Sequence, residues 1–159
     1  MRWPWARKGP KRDRIDPFTL TDPWRSFVQD AQQARSRFER IVVGVQEGPL
    51  RDRLGDIETR INDGLQACWR ISQSGHRLRK TILHVGPSTS DAVLRMRTRQ
   101  DETEQKLAAL IHNLDEAVAR AAELATGQYD GLDALTDDVN GVVGDLEALR
   151  QAIAEIDKV

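Results

Sequence analysis

The segment PLRDRLGDIETRINDGLQACWRISQSGHRLRKTILHVGP, residues 49–87, decides the fold. Its apolar and small residues fall at Leu50, Leu54, Ile57, Ile61, Gly64, Cys68, Ile71, Gly75, Leu78, Ile82 and Val85, alternating steps of four and three. That stride is the heptad pattern of helices packed side by side at a shallow angle. Pro49 suits the first turn of a helix, and Gly86-Pro87 stops one. An interior glycine costs about 1 kcal/mol against alanine, yet the register passes Gly75 without a slip. The sequence therefore predicts one continuous helix over 49–85, with Gly64 and Gly75 as points where a neighbouring helix comes close.

Upstream, Thr21-Asp22-Pro23-Trp24 reads as a helix start, with Asp22 capping the free amides and Pro23 in the first helical position. Trp24, Ala31, Phe38 and Val45 then recur seven apart on one side of a helix over about 23–46. Downstream, a third helix starts at Ser88 or Ser90, with Asp91 three residues after Ser88 as a capping pair. A third seam follows from Val93 through Met96, Gln100, Thr103, Leu107, Leu110, Leu114, Ala117 and Ala121 to Leu124. Two glycines in Gly127–Gly131, with Asp130 as a cap, favour a turn there over a single very long helix. A fourth helix follows over about 131–158. Its seam is Leu132, Leu135, Val139, Val142, Leu146, Leu149, Ile153 and Ile156.

The second and third helices (49–85 and 88–126) match in length, each roughly 55–60 Å at 1.5 Å per residue. The first and fourth are shorter. Short connections make successive helices antiparallel, so both short ones must pack at the open end of the long hairpin. The expected fold is all-α: an antiparallel four-helix bundle, residues 22–159, whose central hairpin protrudes as a prong over roughly 76–99. Residues 1–21 form a separate arm, Pro/Gly-containing and basic, without periodicity and expected to be mobile. Ile15, Phe18 and Leu20 are placed to tack its end onto the body. Aromatics at 5% and charged residues at 31% of the 159 agree with helices carrying narrow apolar stripes. One cysteine excludes an internal disulfide and fits a reducing compartment.

Charge is sorted along the chain although the formal total is −1. Residues 1–99 carry 20 basic and 11 acidic side chains, whereas residues 101–159 carry 4 and 14. Within the first block two clusters stand out. The arm has Arg7, Lys8, Lys11, Arg12 and Arg14 beside Trp3 and Trp5. The prong has Arg77, Arg79, Lys80, Arg95, Arg97 and Arg99, with His76 and His84 in reserve. The topology places both clusters at one end, giving a basic pole opposite an acidic flank made by the fourth helix and the C-terminal half of the third.

This layout points to a non-catalytic adaptor or scaffold whose basic pole meets an acidic protein, another copy of itself or a different chain. An alternative is a peripheral membrane protein, since tryptophan favours the headgroup region and cations favour anionic lipid. At about 1 kcal/mol per basic residue, the arm alone gives roughly 5 kcal/mol, a weak and reversible contact. Weak non-specific nucleic-acid binding is a third reading, opposed by the acidic half and by the lack of a nucleic-acid fold signature. The expected location is the cytoplasm, at the inner membrane surface if the arm anchors.

Enzymatic chemistry finds no support. There is no phosphate loop, no nucleophile elbow and no metalloprotease helix. His76, His84 and His112 lack the Glu-x-x-His spacing of a di-iron bundle, so no catalytic residue, metal ligand, cofactor or small-molecule substrate is assigned. His112 and Glu116 form an ordinary surface pair. Cys68 lies on the seam and reads as a core residue, with Trp69 at the core edge. Tyr129-Asp-Gly-Leu-Asp133 resembles the Tyr-x-x-x-acid motif that follows the helical hairpin of small type VII secretion substrates. Their Trp-x-Gly turn is replaced here by Gly86-Pro87, so the resemblance stops at the motif.

Overall fold

The computed structural model describes residues 14–127 and 131–157. Among them are a 3-10 turn, Pro17–Thr19, and four α-helices: α1 Trp24–Gly44, α2 Pro49–Val85, α3 Asp91–Ala125 and α4 Leu132–Asp157. The all-helical bundle and the four segments follow the sequence expectation, with ends shifted by up to three residues. α2 runs unbroken through Gly75. The α2–α3 turn places Gly86 at φ 72°, a left-handed conformation that glycine adopts without steric cost.

The start of α1 differs from the expectation, and α3 takes the second of its two candidate starts. Pro23 occupies the cap of α1 and makes no side-chain cap bond. The Asp22 carboxylate instead accepts from the Ser26 hydroxyl at 2.9 Å. For α3 the cap is Ser90, whose hydroxyl accepts from the Val93 amide at 3.4 Å. Ser88 accepts from the Ser90 amide, so it shapes the turn rather than the helix. The proposed cap Asp130 and the motif residue Tyr129 lie outside the described residues.

α1 packs on α2 and α3, and α4 packs on α2 and α3, but α1 and α4 do not meet. The central pair is thus flanked on opposite sides. Asp133 pairs with Arg53, Val143 faces Gly64, and Ile153 lies beside Ser74, so α4 climbs parallel to α2. α1 descends against α2, from Trp24 at Gly75 to Phe27, whose carbonyl faces the Cys68 thiol at 3.9 Å.

This arrangement corrects the width of the seams. α2 buries its heptad stripe from Leu54 to Gly75, with Ile82 beyond it, and also Leu65, Ala67, Trp69, Ser72 and His76. A helix flanked on two sides needs a broader face than the two-in-seven stripe of a coiled coil. Trp69, placed at the core edge by the sequence, is only 4% exposed. α3 likewise adds Ile111 and Val118. Towards the tip the stripe narrows again. Ile82 and Val93 are buried, but Val85 is 51% exposed.

The lead-in to α1 is also folded. Leu20 is buried and Ile15 packs on the core, whereas Phe18 is exposed. Arg25 holds this turn: its Nε donates to the Leu20 carbonyl at 3.0 Å, and its guanidinium lies 5.7 Å from the Phe18 ring centroid. The arm boundary expected at residue 21 therefore moves back, at least to Ile15.

Candidate interaction site

Of the arm residues singled out, Trp3, Trp5, Arg7, Lys8, Lys11 and Arg12 lie outside the described residues, and Arg14 is exposed. The prong is fully described, and its six basic residues divide by role. Arg79 is a fastener. Its Nη1 donates to the Asp22 carbonyl at 2.8 Å and ties the start of α1 to α2. Arg77 donates to the Ser74 hydroxyl one turn below, at 3.1 Å. Lys80, Arg95 and Arg97 are exposed and Arg99 is half-buried. None of these four has a carboxylate partner among the described residues.

The body behaves differently. Arg37 meets Asp115 at 3.7 Å across α1 and α3. Arg53 meets Asp133, and Arg60 meets Glu147, each at 2.8 Å across α2 and α4. Arg120 pairs with Asp138 across α3 and α4. Four carboxylates of the acidic flank, Asp115, Asp133, Asp138 and Glu147, are therefore matched by arginines of the same chain, whereas Glu123, Asp137, Asp145 and Glu155 are not matched among the described residues. These pairs are largely exposed, so each contributes at most about 1 kcal/mol. Unpaired cations remain in the body as well, at Arg40, Lys106 and Arg150, but four occur in the prong, where no interhelical ion pair is made among the described residues.

His76 leaves the basic cluster. It is 9% exposed, and its Nδ1 accepts the Thr21 amide hydrogen at 3.2 Å with the Thr21 hydroxyl at 3.1 Å. A ring nitrogen that accepts an amide hydrogen carries no proton, so the imidazole is neutral and protonated at Nε2. Burial, and secondarily the charge of Lys80, push its pKa below the ordinary 6.5. The sequence held His76 in reserve as a cation; the structure turns it into a latch for the segment that leads to the arm.

Two features of this end were missed. Leu83 is 68% and Leu94 47% exposed, beside Lys80 and Arg95. The signal was present: Ile82-Leu83 and Val93-Leu94 are apolar doublets either side of the turn, and a seam uses only one of each. The second feature is a pair of grooves beside Ile153 of α4. One, of about 390 Å³, is lined by Ser74, Arg77, Arg99, Gln100 and Thr103. The other, of about 370 Å³, shares Ser74 and Arg77 and adds Arg70 and Arg150. They arise because α4 extends beside the lower prong. The expected free prong of 76–99 is accordingly covered on one flank, as Ile156 reaches the level of Leu94 and Arg95.

Cys68 is buried, and desolvation pushes its thiol pKa up to about 12, so it is an unreactive core residue. Among the described residues no group of three or more His, Cys, Asp or Glu could hold a metal ion, and no helix is long and apolar enough to cross a membrane. Compared with known protein families, curated proteins and solved structures, the chain matches none.

Proposed function

We propose that this chain is a non-catalytic interaction protein, an adaptor whose basic hairpin end docks on an acidic surface of a protein partner. One observation carries the reading: interhelical ion pairing stops where the prong begins. Arg37, Arg53, Arg60 and Arg120 each meet a carboxylate of another helix. Lys80, Arg95, Arg97 and Arg99 meet none among the described residues. Like charges gathered at one pole repel each other, and an acidic partner relieves that repulsion while being steered to the site. A different protein is favoured over a second copy, because Asp133, Asp138 and Glu147 of the acidic flank are already paired, which leaves a second copy only Asp137, Asp145 and Glu155 to offer among the described side chains of α4. A reducing compartment such as the cytoplasm suits the unpaired Cys68.

The test is binding of a fluorescent acidic peptide, read by anisotropy across a salt series. Replacing Arg77, Lys80, Arg95 and Arg99 together with glutamine should abolish binding while helicity stays unchanged. Wild-type binding should fade by about 0.5 M salt, where screening acts within a few ångströms. Binding that survives the fourfold change would refute the proposal.

A second reading has its own support. Leu83, Val85 and Leu94 expose apolar surface among these cations, a combination that suits an anionic membrane interface. Co-sedimentation with phosphatidylserine vesicles, with and without residues 1–14, separates it from protein docking. Equal pelleting of both chains would end the arm's role as an anchor.

A further inference from the structure

We infer that the groove between α2, α3 and the C-terminal end of α4 is an oxyanion site that takes a phosphoryl group. The inference rests on the docking proposal for the source of that group, a phosphorylated side chain of the partner, but not for the site itself.

The starting point is an anomaly in the third seam. Positions that should carry aliphatic side chains carry Gln100 and Thr103. Polar groups at such positions weaken the packing of a helical pair, and nothing in the bundle compensates for them: neither side chain makes a hydrogen bond among the described residues. Thr103 is nevertheless 8% exposed, so its hydroxyl sits in the wall of the molecule rather than on its surface. Both residues open into the same groove of about 390 Å³.

The other walls are chosen from the same chemistry. Arg77 of α2 and Arg99 of α3 line it from two different helices, Ser74 adds a hydroxyl, and no carboxylate lines the groove. Arg99 has no ionic partner, and Arg77 is held by Ser74 one turn below it. Two guanidinium groups supply two positive charges and forked donors, and the hydroxyls and carboxamide supply more. A single carboxylate would leave a charge and several donors unmatched, whereas a phosphate monoester carries up to two negative charges and three terminal oxygens. Ile153 forms an apolar side on which the carbon atoms of the phosphorylated residue can rest. The volume lies within the range of ligand-binding clefts, near its lower end.

Calorimetry on the full chain at about 0.15 M salt tests this, with three probes: inorganic phosphate, an acidic peptide carrying phosphoserine, and the same peptide with glutamate in its place. The phosphopeptide should bind at least tenfold more tightly than the glutamate peptide. Arg99→Gln and Thr103→Val should each remove that preference, whereas Lys80→Gln with Arg97→Gln should weaken both peptides alike. Circular dichroism establishes that the variants fold, and Thr103→Val keeps the volume of the wall. Saturable binding of inorganic phosphate alone, lost in Arg99→Gln, would keep the oxyanion site, make the ion's source a free phosphate, and count against the docking proposal. Equal affinity for the two peptides, or phosphate binding untouched by Arg99→Gln, would overturn the inference while leaving salt-dependent docking intact.

Discussion

The benzo ring of Trp24 covers Gly75. A Cβ built on Gly75 would lie 2.4, 2.5 and 2.6 Å from Cζ2, Cε2 and Cη2 of Trp24, so the face of the ring, not its edge, rests on the α2 backbone. Trp24 is fully buried and its Nε1 has no hydrogen-bond partner. The ring is therefore placed by shape alone, and the absent side chain at residue 75 makes the room. This contact fixes where α1 begins along α2, and hence how much of the hairpin stays bare.

Gly64 makes the useful contrast. A Cβ there would meet the Val143 Cγ2 at 3.0 Å, a methyl group that can shift slightly. Alanine relieves about 1 kcal/mol of helix penalty at either site. At Gly64 that gain offsets the tighter contact, so Gly64→Ala should change stability by less than about 1 kcal/mol. At Gly75 the rigid indole cannot yield, and Gly75→Ala should cost about 1–3 kcal/mol net. For a chain of this size each kcal/mol shifts Tm by roughly 2–4 °C. Urea denaturation of the two variants side by side decides it; equal stabilities would mean that Trp24 moves freely.

The close approaches at Gly64 and Gly75 were legible in the sequence because a glycine that keeps the seam register has few other reasons to be there. The fate of Trp69 and His76 was not. A periodic stripe tells which face of a helix is buried but not how many neighbours share the burial, and α2 has three. The use of Arg79 was equally hidden. Its partner is the backbone carbonyl of Asp22, and carbonyls carry no signature in a sequence. Charge segregation, by contrast, was readable directly, since counting needs no geometry.

The His76 latch makes the lead-in to α1 sensitive to pH. Its folded pKa lies below the ordinary 6.5, so the unfolded chain takes up the proton first as pH falls. Stability from this group is complete above about pH 6.5 and is lost on acidification towards the folded pKa. Protonation at Nδ1 also removes the acceptor for the Thr21 amide, so the lead-in turn should detach before the bundle melts. The protection of the Thr21 amide, its intrinsic exchange rate at each pH relative to the observed one, should fall from pH 7.5 to 5 in the wild type and stay level in His76→Gln. The same pH response in both proteins would show that another group is responsible.

Packing and surface pairing should separate clearly in magnitude. Leu107 is fully buried in the core cluster, and Leu107→Ala should cost about 2–5 kcal/mol. Arg60 makes the best interhelical ion pair of the body, yet both partners are about a third exposed or more, so Arg60→Gln should cost less than about 1 kcal/mol. Chemical denaturation at low and high salt measures both. A larger loss for Arg60→Gln would mean that the acidic flank holds the bundle together rather than merely balancing it.

Local opening should begin at the groove. Leu114 lies where α3 is flanked by α1 and α4 together, and it is 1% exposed. Gln100 lies level with Gly75, where α1 only begins at Trp24, and where its own side chain and Thr103 replace aliphatic groups. Few apolar contacts and a wet flank give low local stability even inside a continuous helix. Amides around Gln100 should therefore exchange at least about tenfold faster than those around Leu114, which should approach the global unfolding limit. Thr103→Val, which restores an apolar seam position, should slow exchange at Gln100 and leave Leu114 unchanged, because only the local opening has become costlier. Slower exchange at Gln100 than at Leu114 in the wild type would move the weak point away from the groove. It would also remove the reason for regarding Gln100 and Thr103 as residues kept at a structural cost.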